Sequence, residues 1–180
     1  IQVNGENYLI PVGENITHEK KVKYASVNAG YVIETMESAQ LASMNIIILD
    51  ACRNNPFIQR RSKSGGQGLA AYRNTPDGTI IAYATAPGST ADDGDEEGLG
   101  LYTGELIRHM KTPGLRIIDV FRNVRASVFK KSRGKQKPLE FSNLMPGAFY
   151  LVPTRQNDNQ ILTTPDYDTD DQSKIMVIFK

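Results

Sequence analysis

At 180 residues and 19.9 kDa the chain can enclose one sizeable core, and 39% hydrophobic against 23% charged residues is an ordinary globular composition. Twenty-one Lys and Arg against 20 Asp and Glu leave a formal net charge of +1, without the basic excess of a general nucleic-acid binder. One cysteine excludes an internal disulfide, and Cys52, His18 and His109 are too few for a structural zinc site.

The chain opens at Ile1 directly into strand-like sequence, so a processed or truncated chain with residues upstream is expected. Residues 2–10 predict a hairpin, because Asn4-Gly5 suits a two-residue turn whose central positions both need positive φ. Residues 13–26 are polar and charged and are expected to be loop. A helix is predicted over 27–40, with Val32, Met36 and Ala39 spaced i, i+4, i+7. Met44–Leu49, apolar and β-branched, predicts a strand buried on both faces, as in a parallel sheet. Within 53–78, Arg60-Arg61-Ser62-Lys63-Ser64-Gly65-Gly66-Gln67-Gly68 predicts a mobile exposed loop.

A second buried strand is predicted over 79–85. An acidic loop with Asp92, Asp93, Asp95, Glu96 and Glu97 leads into a helix near 99–111, facing inward through Leu99, Tyr102, Leu106, Ile107 and Met110. A further helix near 116–131 buries Ile117, Val120, Phe121, Val124 and Val128. Ala148–Val152 and Ile175–Phe179 read as short strands, separated by a polar acidic stretch over 163–174. The longest apolar run, Ile46–Leu49, is far too short to span a membrane, and no signal peptide is visible. A cytoplasmic protein with neither membrane nor nucleic-acid partners is expected. The sequon Asn15-Ile16-Thr17 carries weight only in a secreted eukaryotic protein.

Buried strands alternating with amphipathic helices predict an α/β fold of three layers, a mostly parallel sheet with helices on both faces. Sites in such sheets form beyond the carboxyl ends of strands, here after Leu49 and Thr85. Cys52 follows the first of these. A free cysteine is usually a small buried hydrophobe, but Asp50, Arg53, Asn54 and Asn55 make this surrounding polar. A thiol at a strand end is a nucleophile when a base reaches it. On extended chain, residues two apart share a side, so Asp50 and Cys52 should face one cleft.

Asp50-Ala51-Cys52-Arg53-Asn54 resembles the caspase signature Gln-Ala-Cys-[Arg/Gln/Gly]-Gly, with Asp and Asn in place of Gln and Gly. Tyr83-Ala84-Thr85-Ala86-Pro87-Gly88 resembles the Tyr-Ser-Thr-Ala-Pro-Gly stretch of executioner caspases. Residues 47–57 and 5–12 are similar to bacterial caspase-like and metacaspase-type peptidases. The resemblance covers roughly residues 1–152, expected to form the peptidase domain, with 153–180 a C-terminal extension packed as strand on the same domain.

The resemblance implies a caspase-haemoglobinase-like fold whose N-terminal strands are missing from this chain. It implies Cys52 as nucleophile and a histidine about 50 residues upstream as base. In the family, the stretch matching residues 5–12 directly follows a Ser-Gly-His-Gly segment, which puts that histidine before Ile1. The oxyanion hole would use the Cys52 N–H and a Gly N–H beside the same histidine. His18, in a charged loop, and His109, on the polar side of its helix, read as surface residues and are weak alternatives for the base. The family's P1-binding Gln and Arg are matched here by Asp50 and by Asp93, five residues after Gly88, which implies a pocket for Arg or Lys.

Arg60, Arg61 and Lys63 lie where such enzymes carry a maturation site, so they are either an autocleavage segment or an ordinary solvated linker. The resemblance to metacaspases raises calcium for the acidic cluster. The cluster does not match an EF-hand, a solvated helix N-terminus is the favoured reading, and no cofactor is expected. The expected function is a cysteine endopeptidase acting after basic residues of a peptide or protein substrate. This chain alone, without the upstream segment carrying the histidine, is expected to be inactive. A non-catalytic caspase-fold module for signalling or assembly is the alternative. A nucleotide-binding domain ranks lower, since Gly65-Gly66 lacks the Walker pattern and a following helix.

Overall fold

The computed structural model describes residues 1–39, 44–50, 57, 68–72, 74–86, 100–145, 147 and 149–154, and the backbone of 174–179. Strands β1 (Gln2–Val3) and β2 (Glu6–Leu9) pair antiparallel, with Val3 opposite Glu6. The turn between them holds Asn4 at φ 53° and Gly5 at φ 86°, the two left-handed positions that the Asn-Gly pair accommodates. Strand β3 (Val27–Asn28) adds to β2 and completes a small three-stranded sheet.

The stretch 13–26 is not all loop. A 3-10 turn at Glu19–Lys21 runs into the short helix α1 (Val22–Ala25), which folds over a fully buried Val22. A four-residue helix is too short to show a periodicity. Helix α2 (Ala29–Ala39) starts two residues later than predicted. The Asn28 side chain caps it, its Oδ1 accepting from the N–H groups of Gly30 at 2.8 Å and Tyr31 at 3.2 Å. The inward face is accordingly Ala29 and Ile33 with Met36 packed beside them, while Val32 is half-buried and Ala39 exposed.

The second sheet has the order β6-β5-β4-β7. Its centre is β4 (Met44–Leu49), parallel to β5 (Thr79–Tyr83) on one side and to β7 (Lys174–Phe179) on the other. Strand β6 (Leu139–Ser142), to which the sequence reading gave no bounds, pairs antiparallel with β5 at the edge. Every residue of β4 and β5 is buried, and all are apolar except Asn45 and Thr79 near the strand starts.

Strand alternation sorts their side chains into two cores. Ile46, Ile48, Ile80 and Ala82 pack on helices α3 (Leu101–Met110) and α4 (Ile117–Lys131). Ile47, Leu49, Ile81 and Tyr83 face Ile33 of α2 and Leu69. The result is the three-layer α/β fold predicted, a mostly parallel sheet with helices on both faces.

Helix α4 buries all five residues that the periodicity assigned to it. Helix α3 departs from its pattern: Ile107 is 39% exposed, whereas Glu105 is only 4% exposed. Leu99 lies outside the described residues. Around 149–152 there is no strand but one antiparallel bridge, Arg116 to Tyr150, with Phe149 and Leu151 packed against the core. Among the described residues, no helix is long and apolar enough to cross a membrane.

Candidate active site

Asp50 is the first residue past β4. By strand parity it follows Ile46 and Ile48 towards α3 and α4. It is 8% exposed, and its Oδ2 accepts a short hydrogen bond from Thr103 Oγ1. A carboxylate this buried is costly without such partners. Thr103 is the third residue of α3, whose first turn holds no acidic residue and whose N-cap, Gly100, offers no side chain. Asp50 therefore brings from β4 the negative charge that a helix N-terminus favours.

The neighbouring Tyr102 is 1% exposed, and its hydroxyl has no hydrogen-bond partner among the described residues. Burial, and then the charges of Asp50 and Glu140, push this phenol up, so it stays neutral. The carboxyl ends of the two strands are tied together: the Ala84 N–H donates to Leu49 O at 3.1 Å. Gln136, 2% exposed, donates from Nε2 to Ala84 O at 2.9 Å.

Cys52, Asp93 and the basic residues Arg60, Arg61 and Lys63 lie outside the described residues, as does the acidic cluster weighed for calcium. Among the described residues, no group of three or more His, Cys, Asp or Glu could hold a metal ion.

The two histidines sit in different settings. His18 is exposed ahead of the 3-10 turn. His109 is six residues beyond Thr103, about 9 Å along the helix axis. It is no simple surface residue. Its Nε2 lies 2.7 Å from Arg108 Nη2, 3.1 Å from Ser127 Oγ and 3.9 Å from Glu105 Oε2. Glu105 in turn receives Arg108 Nη2 at 2.6 Å and Lys131 Nζ. Thus the buried acid of α3 is an ionic clasp onto α4, and His109 belongs to that clasp.

The electrostatics of the clasp give a pH prediction. Burial and the Arg108 charge, reinforced by Lys131, hold His109 below the usual imidazole range against the opposing pull of Glu105. Burial alone would raise the Glu105 carboxyl, but the hydrogen bonds and charges of Lys131 and Arg108 outweigh it and hold the group below its ordinary value. Both groups are depressed in the folded state, so both contribute stability above their unfolded pKa values and lose it as pH falls. For His109 the loss begins below about 6.5, and for Glu105 below about 4.3. Urea denaturation at pH 7.5 and 5.5 should show the protein weakening at the lower pH, and His109→Gln weakening less. An equal loss in the variant would assign that limb to other groups.

A cleft of about 550 Å³ opens on the other side of the sheet, between the hairpin and α2, and is lined by Glu6, Asn28, Glu34, Leu49, Tyr72 and Tyr83. Asn7 fixes one wall, donating from Nδ2 to Ala70 O at 2.7 Å and accepting the Ala70 N–H on Oδ1 at 2.8 Å. Leu49 faces this cleft and Asp50, one residue on, follows the opposite parity, so the cavity is not the Asp50 site. Thr103, Glu105 and Gln136 were not singled out from the sequence, and Tyr102 was read only as part of the inward face of its helix. A Tyr-Thr pair opening a helix after an acidic loop carries no motif.

The carboxyl end of β4 thus carries a buried carboxylate two residues before the sole cysteine of the sequence. The chain belongs to the caspase domain family, whose model matches residues 1–150. Among solved structures, the crystal structure of caspase-1 from Spodoptera frugiperda is similar, with a TM-score of 0.52 and 15% sequence identity, covering 73% of this chain. At that identity the likeness is one of fold. The chain spans 56% of the length of that structure's chain. No curated protein matches the sequence.

Proposed function

We propose that the protein is a cysteine endopeptidase cleaving after Arg or Lys. Cys52 attacks the scissile carbonyl as the thiolate. A histidine supplied from upstream of Ile1 takes the thiol proton and returns it to the leaving amine. The Cys52 backbone N–H donates to the oxyanion. Asp50, together with Asp93, receives the P1 cation, and the segment with Arg60, Arg61 and Lys63 is one that such an enzyme would cut in itself.

The observation that carries this reading is the buried carboxylate of Asp50 at the end of β4, two residues before the only cysteine. A guanidinium or ammonium group offsets the cost of burying that charge, whereas an acidic P1 side chain would add to it. The upstream histidine is supported by the engagement of His109 in the α3–α4 clasp and by the exposure of His18.

The test is a set of fluorogenic peptides differing only at P1, assayed with the chain extended upstream through the histidine. Arg and Lys peptides should exceed the Asp peptide by about 10²-fold in kcat/KM, and Asp50→Ala should erase the difference. Faster cleavage of the Asp peptide overturns the specificity. Cys52-dependent turnover by residues 1–180 alone overturns the upstream base. With the histidine present and no peptide cleaved, the non-catalytic assembly module becomes the better reading.

A further inference from the structure

Asp50 is held in a way that P1 recognition alone does not require. Its carboxylate is fixed from α3, a separate element, through the Thr103 hydroxyl. We propose that Thr103 is a positioning residue for P1 recognition, setting the orientation of the Asp50 carboxylate and hence how tightly a basic P1 side chain is bound. This rests on the reading of Asp50 as the P1 acid.

Two arrangements support it. The contact joins the residue that ends β4 to the first turn of α3, so the carboxylate is ordered when the domain folds and not when substrate arrives. Binding then loses less freedom, which is the advantage of a preorganised site. The contact is also charge-assisted and buried, and such hydrogen bonds are stronger than neutral ones. The first turn of α3 holds no acid of its own, so Asp50 is the carboxylate at that end of the helix among the described residues. Without the hydroxyl, the carboxylate loses the contact that ties it to α3.

The experiment uses the peptidase extended through its upstream histidine and an Arg-P1 peptide. Thr103→Val should raise KM by about tenfold with kcat changed much less. Thr103→Ser, which keeps the hydroxyl, should stay close to the parent in KM and kcat. If Thr103→Val does not fold, Thr103→Ala serves as the second hydroxyl deletion.

A deletion variant with the parent's KM, alongside an Asp50→Ala that has lost Arg-P1 cleavage, overturns the role of Thr103 and leaves the P1 assignment standing. A loss shared equally by kcat and KM and not rescued by Ser also overturns it, as mere damage to α3. If Asp50→Ala cleaves the Arg-P1 peptide as well as the parent does, the failure is that of the P1 reading itself.

Discussion

Cys52→Ala, in the chain extended to its histidine, is expected to lower kcat/KM on an Arg-P1 peptide by at least about 10³-fold, with thermal unfolding nearly unchanged. The size follows from the chemistry. Removing the nucleophile forces water to attack directly, and only substrate binding and the oxyanion donor remain to lower the barrier. Cys52→Ser is expected to be nearly as poor, because a histidine that can deprotonate a thiol near pKa 8.5 meets a far weaker acid in a hydroxyl. Steady-state kinetics and a melting curve on the same preparations check this. Activity within tenfold of the parent would remove Cys52 from the chemistry. A cooperative loss of folding would make it a packing residue.

The second large effect falls on stability. Phe121 is 3% exposed on α4 and packs into the core beneath β4 and β5 with Ile48, Ile80 and Val124. Phe121→Ala is expected to cost about 3–5 kcal/mol, a transfer loss plus the cavity left behind. A domain of this kind has only about 5–15 kcal/mol in total, so the variant should unfold at markedly lower urea with an unchanged slope. The internal control is Phe129, two turns along the same helix, 45% exposed, with the Lys137 ammonium 5.6 Å from its ring centre. Phe129→Ala should cost about 1 kcal/mol or less. Equal losses would mean that the inward face of α4 has been misassigned.

What the sequence revealed and what it concealed divide along physical lines. Strands β4 and β5 and the face of α4 were legible because a parallel strand covered on both sides is a nearly continuous apolar run, and because five apolar residues at helical spacing have no other good use. The hairpin was legible from Asn4-Gly5, since few other pairs tolerate two positive φ angles. The face of α2 was displaced because Asn28 takes the N-cap and starts the helix later, a side-chain contact that apolar spacing alone does not weigh. In α3, Glu105 occupies a core position that binary patterning gives to an apolar residue, and only its partners on α4 and at Arg108 make that tolerable. At the site, Asp50 was readable from its place before Cys52. Thr103, 53 residues away, was not, because the hydrogen bond exists only once α3 is laid against the sheet.

The pairing of β4 with β7 sets a clock on the birth of the molecule. Met44 finds its partner Lys174 only after about 130 further residues have been made. At a synthesis rate of about 5–20 residues per second, β4 waits on the order of ten seconds with that edge bare. The exposed segment is Met-Asn-Ile-Ile-Ile-Leu, uncharged and β-prone, the kind that pairs with a neighbouring chain. A nascent chain of this protein therefore carries a risk of aggregation after β4 and β5 have met and before β7 emerges, and a chain cut short of residue 174 would carry that risk permanently.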